Sequence, residues 1–174
     1  MRAHLPWLAQ GDIFRDAPVV DVTVAEGSRV EVASRLGPTV LLTHDCAMDK
    51  PNSRGEPRVE RFQFARLRSI DSLSGDLQRS LRGSSNSLGP FEVLYLGQIS
   101  DLGESFILLS DPYYLPAAYF ALRFVDYTGH PDADANNALY ATPSAHDTRL
   151  GRLDQSQIEL LRAKMLAFWA RVRQ

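Results

Sequence analysis

Apolar and polar residues alternate with a period of two from Val19 to Val24: Val20, Val22 and Val24 take one parity, Asp21 and Thr23 the other. This predicts a first strand with one buried face. Glu26-Gly27-Ser28 reads as a turn, and Arg29 to Ala33 alternates again. Gly37-Pro38 then leads into Thr39-Val40-Leu41-Leu42-Thr43, whose nearly continuous apolar run predicts a buried central strand. Val59 to Leu67 predicts a further strand, with Phe62 and Phe64 on one parity and Arg61 and Gln63 on the other. Phe91 to Leu96 and Ser105 to Leu109 predict a hairpin joined by a long turn at Gly97 to Gly103.

Helical spacing occurs twice. Ser72 to Leu81 predicts a short helix closed by Arg82-Gly83. Asp154, as N-cap, precedes Ile158, Leu161, Met165, Leu166 and Trp169, which predicts an amphipathic helix over 154–172 that covers the sheet. Asp49 to Pro57 and Ser84 to Gly89 have loop compositions. Pro112 and Pro116 lack the ladder donor, so the chain is expected to turn there before a last strand in Ala118 to Val125. The polar stretch 129–150 reads as a long loop. The expected fold is mainly β with helices (α+β), one domain over 1–174 with its strands in about 11–128 and an antiparallel, meandering sheet.

Composition narrows the function classes. A chain of 174 residues that is 44% hydrophobic buries one core, and a formal charge of −2 with both signs interleaved offers no global attraction for nucleic acid or an anionic membrane. Only a local basic patch could bind an anionic polymer. The first ten residues lack the apolar run of a secretory leader and no stretch has the length of a membrane span, which predicts a soluble, cytoplasmic protein with no membrane partner. A single cysteine, Cys46, excludes an internal disulfide and a multi-cysteine zinc site. No motif calls for a metal or a cofactor.

The densest group of reactive side chains is His44-Asp45-Cys46, after a buried strand. On a continuing strand His44 and Cys46 would share a face, where an imidazole could activate a thiolate nucleophile. The plainer alternative makes Cys46 a small core residue and His44 a hydrogen-bonded strand terminus. His146-Asp147 repeats the His-Asp pairing and could bring a second acid-base pair to one site. Arg58, Arg66 and Arg68 share the parity of Phe62 and Phe64, with Arg79 and Arg82 following, a set that could contact phosphates or simply form a solvated rim. Tyr113-Tyr114 is either a packed turn or a stacking platform for bases.

Five features stand in one order: Gly11-Asp12-Ile13, Gly37-Pro38-Thr39-Val40-Leu41-Leu42, an arginine-rich strand, Phe91-Glu92-Val93, and Asp111 after an apolar strand. With Gly151-Arg152-Leu153-Asp154 opening the last helix, the chain resembles the PemK/MazF-like toxins over much of its length. The resemblance implies an SH3-like antiparallel β-barrel with a C-terminal helix. It also implies a bacterial toxin–antitoxin or defence setting, a homodimer, an antitoxin-like protein partner, and metal-independent endoribonuclease activity on RNA. In that family an arginine precedes the strand proline, where this chain has Gly37 with Arg35 two residues earlier. An Arg-x-Asp pattern ends a late strand, where Asp111 matches the acid and Leu109 stands in place of the arginine. The resemblance thus implies Arg35, Arg66 and Arg68 as contacts to RNA or DNA phosphate and Asp111 or His44 as the acid-base group. A non-catalytic protein-interaction module on the same barrel, and a Cys46-dependent enzyme, are the alternatives.

Overall fold

The computed structural model describes residues 1–25, 29–84, 89–127, 129–133, 139–144 and 147–171. In chain order the elements are β1 (Asp12–Ala25), β2 (Arg29–Leu41), α1 (Asp45–Met48), β3 (Arg61–Ser69), α2 (Gly75–Gly83), β4 (Val93–Ile99), β5 (Gly103–Pro116), β6 (Arg123–Val125), β7 (Leu139–Ala141), β8 (Arg149–Arg152) and α3 (Gln155–Arg171). The main sheet is antiparallel, with strand order β4-β5-β3-β2-β1-β8, and β6 pairs with β7 apart from it. Strands β4 and β8 are its edges, so the sheet is open. The fold is mainly β with helices, an α+β arrangement.

Strand β3 explains how the core is organised. Its Phe62 and Phe64 join Phe14, Leu41, Leu115 and Phe120 on one face. Ala65 and Leu67 face Ile13, Val40, Leu94 and Ile107 on the other, which α3 closes with Ile158 and Leu161. Each face is apolar because the central strands are covered on both sides, and this is why their sequence runs are nearly continuous in hydrophobicity.

Several elements depart from the sequence reading. Strand β5 runs straight through Pro112 and Pro116, which pair with Ala65 and Arg61. Its pairing with β4 ends at Val93↔Leu108, so both prolines lie where β5 has β3 on one side only, and a missing N–H costs no ladder bond. The expected last strand becomes a 3-10 turn over Ala117–Phe120 followed by β6. The expected loop 129–150 contains β7 and the start of β8, which extends the main sheet beyond residue 128. In α3, Asp154 accepts from the Gln157 N–H (3.0 Å) while the Gln157 side chain accepts from the Asp154 N–H (3.1 Å), a reciprocal capping box. The apolar stripe of α3 nonetheless ends early. Lys164 is buried with its Nζ donating to the Pro90 carbonyl at 2.8 Å, and Leu166 and Trp169 are exposed rather than packed.

The largest difference concerns the valines. Strands β1 and β2 pair over most of their length, with a register shift between Phe14 and Ala17, but β3 meets β2 only at Thr39 to Leu41 and β8 meets β1 only at Asp12 to Phe14. The outer halves therefore project as a two-stranded ribbon. The period-two pattern is real, yet Val22 is 63% and Val32 67% exposed, so the face read as buried is a surface.

A polar knot fixes the other end of β1. Gly11 has φ +88°, and a Cβ there would lie 3.2 Å from Ile158, so only glycine brings the chain this close to α3. The next residue, Asp12, is fully buried and accepts from the Ala9 N–H (3.0 Å) and from Arg149 Nη1 (3.0 Å). Arg149 also donates to the Leu5 and Trp7 carbonyls and, through Nε and Nη2, to both carboxylate oxygens of Asp147 (2.8 and 2.6 Å). One guanidinium thus ties the N-terminal segment, β1 and β8 together.

Removing one partner of a buried ion pair strands the other, whereas exposed pairs contribute little. Arg149→Met is expected to destabilise the protein by about 3–5 kcal/mol in urea unfolding, whereas Arg82→Met, which breaks the exposed pair with Glu104, is expected to leave the unfolding midpoint nearly unchanged. Burial, outweighing the pull of Arg149, raises the Asp12 carboxyl from 3.8 to about 6. Its folded value lies above its unfolded one, so its contribution to stability is full below about pH 4 and is lost as pH rises through about 6. The stability of Asp12→Asn relative to the native chain is therefore expected to improve as pH rises from about 4 to about 7, and the Asp12 carboxyl carbon to titrate near 6 by NMR.

Candidate functional site: an arginine cleft

The aromatic face of β3 ends at Phe64, which stacks on Tyr113 of β5 with ring centroids 6.0 Å apart and planes at 28°. Past that point the same parity carries Arg66 and Arg68, both half-buried. Register supplies their partners. Pairing between β3 and β5 jumps from Ala65↔Pro112 to Leu67↔Ile107, so Leu108 to Asp111 bow out opposite Arg66 alone. An irregularity of this kind bends a strand and re-aims its side chains. Here it sets Asp111 Oδ2 at 2.7 Å from Arg68 Nη2.

The ribbon contributes from the other side. Asp21 of β1 accepts from Arg66 and, at 3.3 Å, from Arg35 Nε. Arg35 reaches this position across Gly37: a Cβ at Gly37 would lie 3.3 Å from Arg35 Nη1 and 3.4 Å from Val19. The bare α-carbon leaves room for the guanidinium. Asp21, Arg66, Arg68, Asp111, Tyr113 and Tyr114, with Val20, Val22 and Pro112, line a cleft of about 520 Å³, to which Arg35 is joined through its bond to Asp21.

In the lining Arg66 and Arg68 are matched by Asp21 and Asp111, while Arg35, outside the lining, pairs with Asp21. The hydrogen bond from Arg66, opposed by burial and supported by Arg35, holds the Asp21 carboxyl below its usual range, and it is anionic at neutral pH. Each guanidinium has five donors. The carboxylates occupy only part of that set, and the Nε–H groups of Arg66 and Arg68 are buried without a hydrogen-bond partner. Burial raises the Tyr113 phenol to about 12, outweighing the opposing pull of Thr39 and Arg66. Tyr113 is thus a neutral floor, while Tyr114 beside it is 55% exposed.

The remaining sequence candidates go elsewhere. Strand β2 ends at Leu41, and His44 caps the short α1, its Nδ1 accepting from the Cys46 backbone N–H at 3.2 Å. The expected shared strand face of His44 and Cys46 does not form, because the backbone turns helical at Asp45. Cys46 is exposed, and no hydrogen bond joins its thiol to an imidazole among the described residues. Asp45 accepts from the Gln10 N–H (2.6 Å) and from Arg162 (3.1 Å), with Arg152 at 3.5 Å. His44 lines a second depression of about 420 Å³ with Arg61, Gln63 and Tyr114, so Tyr114 borders both it and the arginine cleft.

Arg58 is exposed in the loop before β3 and does not line the cleft. Arg79 and Arg82 pair with Asp76 and Glu104 on the α2 side. His146 lies outside the described residues, and Asp147 is committed to Arg149. Among the described residues no group of three His, Cys, Asp or Glu side chains could hold a metal ion, and no helix is long and apolar enough to cross a membrane. Sequence reasoning missed Asp21, whose one signal was a carboxylate within a valine-rich strand. It also missed the Asp12–Arg149 pair, whose members lie more than a hundred residues apart.

Comparison with family models and with curated proteins finds no match to this chain.

Proposed function

We propose that the chain is a divergent SH3-like barrel of the PemK/MazF-like kind and that its arginine cleft engages the phosphodiester backbone of single-stranded RNA and cleaves it without metal. One observation carries this reading: two arginine positions left vacant along the sequence are supplied across space. Arg35 folds over Gly37, where the family has its arginine, and Arg68 pairs with Asp111, where Leu109 stands in place of the family's partner. A cytoplasmic toxin–antitoxin or defence setting with an antitoxin-like partner follows from the same likeness.

The chemistry needs a base, charge neutralisation at phosphorus and a proton for the leaving group. A phosphate seated between Arg66 and Arg68 draws Arg68 away from Asp111, freeing that carboxylate to take the ribose 2′-hydroxyl proton. The 2′-oxygen attacks phosphorus, the bond to the 5′-oxygen breaks, and the leaving oxygen takes its proton from water at the open mouth of the cleft. The products end in a 2′,3′-cyclic phosphate and a 5′-hydroxyl. Arg35, Arg66 and Arg68 offset the charge that builds on the phosphorane. Asp111 rather than His44 is the acid-base group, because His44 lies in the neighbouring depression. The exposed Tyr114 offers a ring for a flanking base.

Purified protein in EDTA is expected to cut a mixed single-stranded RNA pool. Asp111→Asn is expected to lower the rate by about 10²-fold or more, and Arg35→Ala or Arg68→Ala by about 10²–10³-fold. Binding to a non-cleavable 2′-deoxy oligonucleotide is expected to weaken with salt, and each arginine removed to flatten the log K against log salt slope by about 0.7. RNA left intact with and without divalent metal contradicts the cleavage reading. A non-catalytic interaction module, favoured by the exposed Leu166 and Trp169 on α3, then takes its place.

A further inference from the structure

A cavity of about 320 Å³ opens between the N-terminal segment, α1, β7 and α3, and it shares no lining residue with the arginine cleft. Trp7, Met48, Phe62 and Tyr140, all buried, form its apolar wall. That wall is fixed in place. Trp7 packs against the rings of Tyr127 and His130, with centroids 5.1 and 5.0 Å away, and the Tyr140 hydroxyl donates to the Gly55 carbonyl at 3.2 Å. The charged residues of the lining are Arg2, Arg152 and Arg162 with Asp45, Asp49 and Asp132.

These charges are not matched one to one. The Arg152 side chain is 7% exposed, donates from Nε to the Gln10 carbonyl at 2.9 Å and lies 3.5 Å from Asp45. Asp45 is already the acceptor for Arg162 (3.1 Å) and for the Gln10 N–H (2.6 Å). Burial, joined by the like charges of Arg2 and Arg162, loosens the hold of Arg152 on its proton against the pull of Asp45 and Asp12. One carboxylate therefore serves two guanidiniums with a third beside them, and a further anion in that corner is stabilising. Asp49 ends α1, its N–H donating to the Asp45 carbonyl at 3.0 Å, so it stands about 6 Å farther along the helix axis. Its Oδ1 is buried and has no hydrogen-bond partner among the described residues. An unmet buried acceptor is costly, and this one belongs to a residue that lines a space able to hold a donor.

We propose that this cavity binds a free α-amino acid with an apolar side chain. The ligand carboxylate takes the remaining donors of Arg152 and Arg2, its ammonium donates to Asp49, and its side chain lies against Trp7, Phe62 and Tyr140. Three features select a zwitterion. The three arginines and three aspartates of the lining sum to zero charge, so a ligand of zero net charge keeps the balance, whereas a phosphate or a diamine upsets it. Asp45, which marks the arginine corner, and Asp49 are about one helical turn apart, a span filled by two hydrogen bonds of about 2.9 Å and the short N–Cα–C link. The volume stands at the lower end for ligand sites, which suits a single small metabolite rather than a stretch of polymer. Binding here is independent of phosphate binding in the arginine cleft.

Isothermal titration calorimetry of the full chain with L-leucine, L-isoleucine, L-methionine and L-phenylalanine tests this. At least one is expected to bind with a Kd of about 10–100 μM. For L-phenylalanine, 3-phenylpropionate lacks the ammonium and phenethylamine lacks the carboxylate; deaminated and decarboxylated forms of whichever amino acid binds are expected to bind about tenfold or more weaker. Asp49→Asn, which keeps the shape and removes the charge, is expected to weaken binding by about tenfold or more, and Arg2→Ala by several-fold, with the circular dichroism spectrum unchanged. Trp169→Phe leaves Trp7 as the one tryptophan, and its emission is expected to change along the same binding curve. Absence of heat with all four amino acids overturns the proposal. So does binding that the carboxylate-only analogue or the Asp49→Asn variant retains in full, which makes the cavity a plain anion site, and so does binding that leaves the Trp7 emission unmoved, which places the ligand elsewhere.

Discussion

The placement of the sheet depends on one buried ion pair. Asp12 and Arg149 meet where β1, β8 and the N-terminal segment converge, and Arg149 is further committed to Asp147 and two backbone carbonyls. A guanidinium with that many partners has its position over-determined, which suits it to join segments distant in sequence. The cost appears in the raised Asp12 carboxyl: burial is stronger than the single contact from Arg149, and Asp12 Oδ1 has no hydrogen-bond partner. Such pairs are weak contributors to stability but costly to break singly. The Asp12–Arg149 pair therefore acts on register, fixing β8 against β1 and delivering the chain into α3 just beyond.

Register also makes the cleft. Strand β3 packs apolar side chains into both core clusters between Phe62 and Leu67, yet its aromatic face runs out at the Phe64–Tyr113 stack, and the next two positions of that parity are the half-buried Arg66 and Arg68. The bowed segment of β5 then presents Asp111, and the leaning ribbon presents Asp21. Neither carboxylate lies near the arginines in sequence. Charge was arranged locally in a chain whose net charge is only −2, so the global balance says nothing against an anion site.

Much of the fold was legible because burial on two faces leaves long apolar runs, as in Thr39 to Leu42, and because a capping signal opens α3. Parity placed Phe62, Phe64, Arg66 and Arg68 on one face correctly. Three things were not legible. Alternation reports that a strand has two unlike faces, not which one is covered, and so Val20, Val22 and Val24 were read as core. Proline excludes a doubly paired position but not a singly paired one, and Pro112 and Pro116 occupy the latter. A strand that ends at Leu41 rather than Thr43 turns His44-Asp45-Cys46 from a strand face into a helix cap, and parity arguments fail past a strand end. The candidate site was half visible: the arginines and Asp111 could be named singly, while their convergence rests on the β3–β5 irregularity that no local pattern encodes.

The central claim of the proposed function is that Arg66 and Arg68, which line the cleft, and Arg35, joined to it through Asp21, bind one phosphate backbone. The most direct test follows the arginine Nε–Hε resonances of the isotopically labelled chain during titration with a short 2′-deoxy oligonucleotide. The account predicts that the signals of Arg35, Arg66 and Arg68 shift together along a single saturable curve while those of Arg58 and Arg79 stay in place. Unmoved cleft arginines at saturating oligonucleotide, or equal shifts across all exposed arginines, would contradict it.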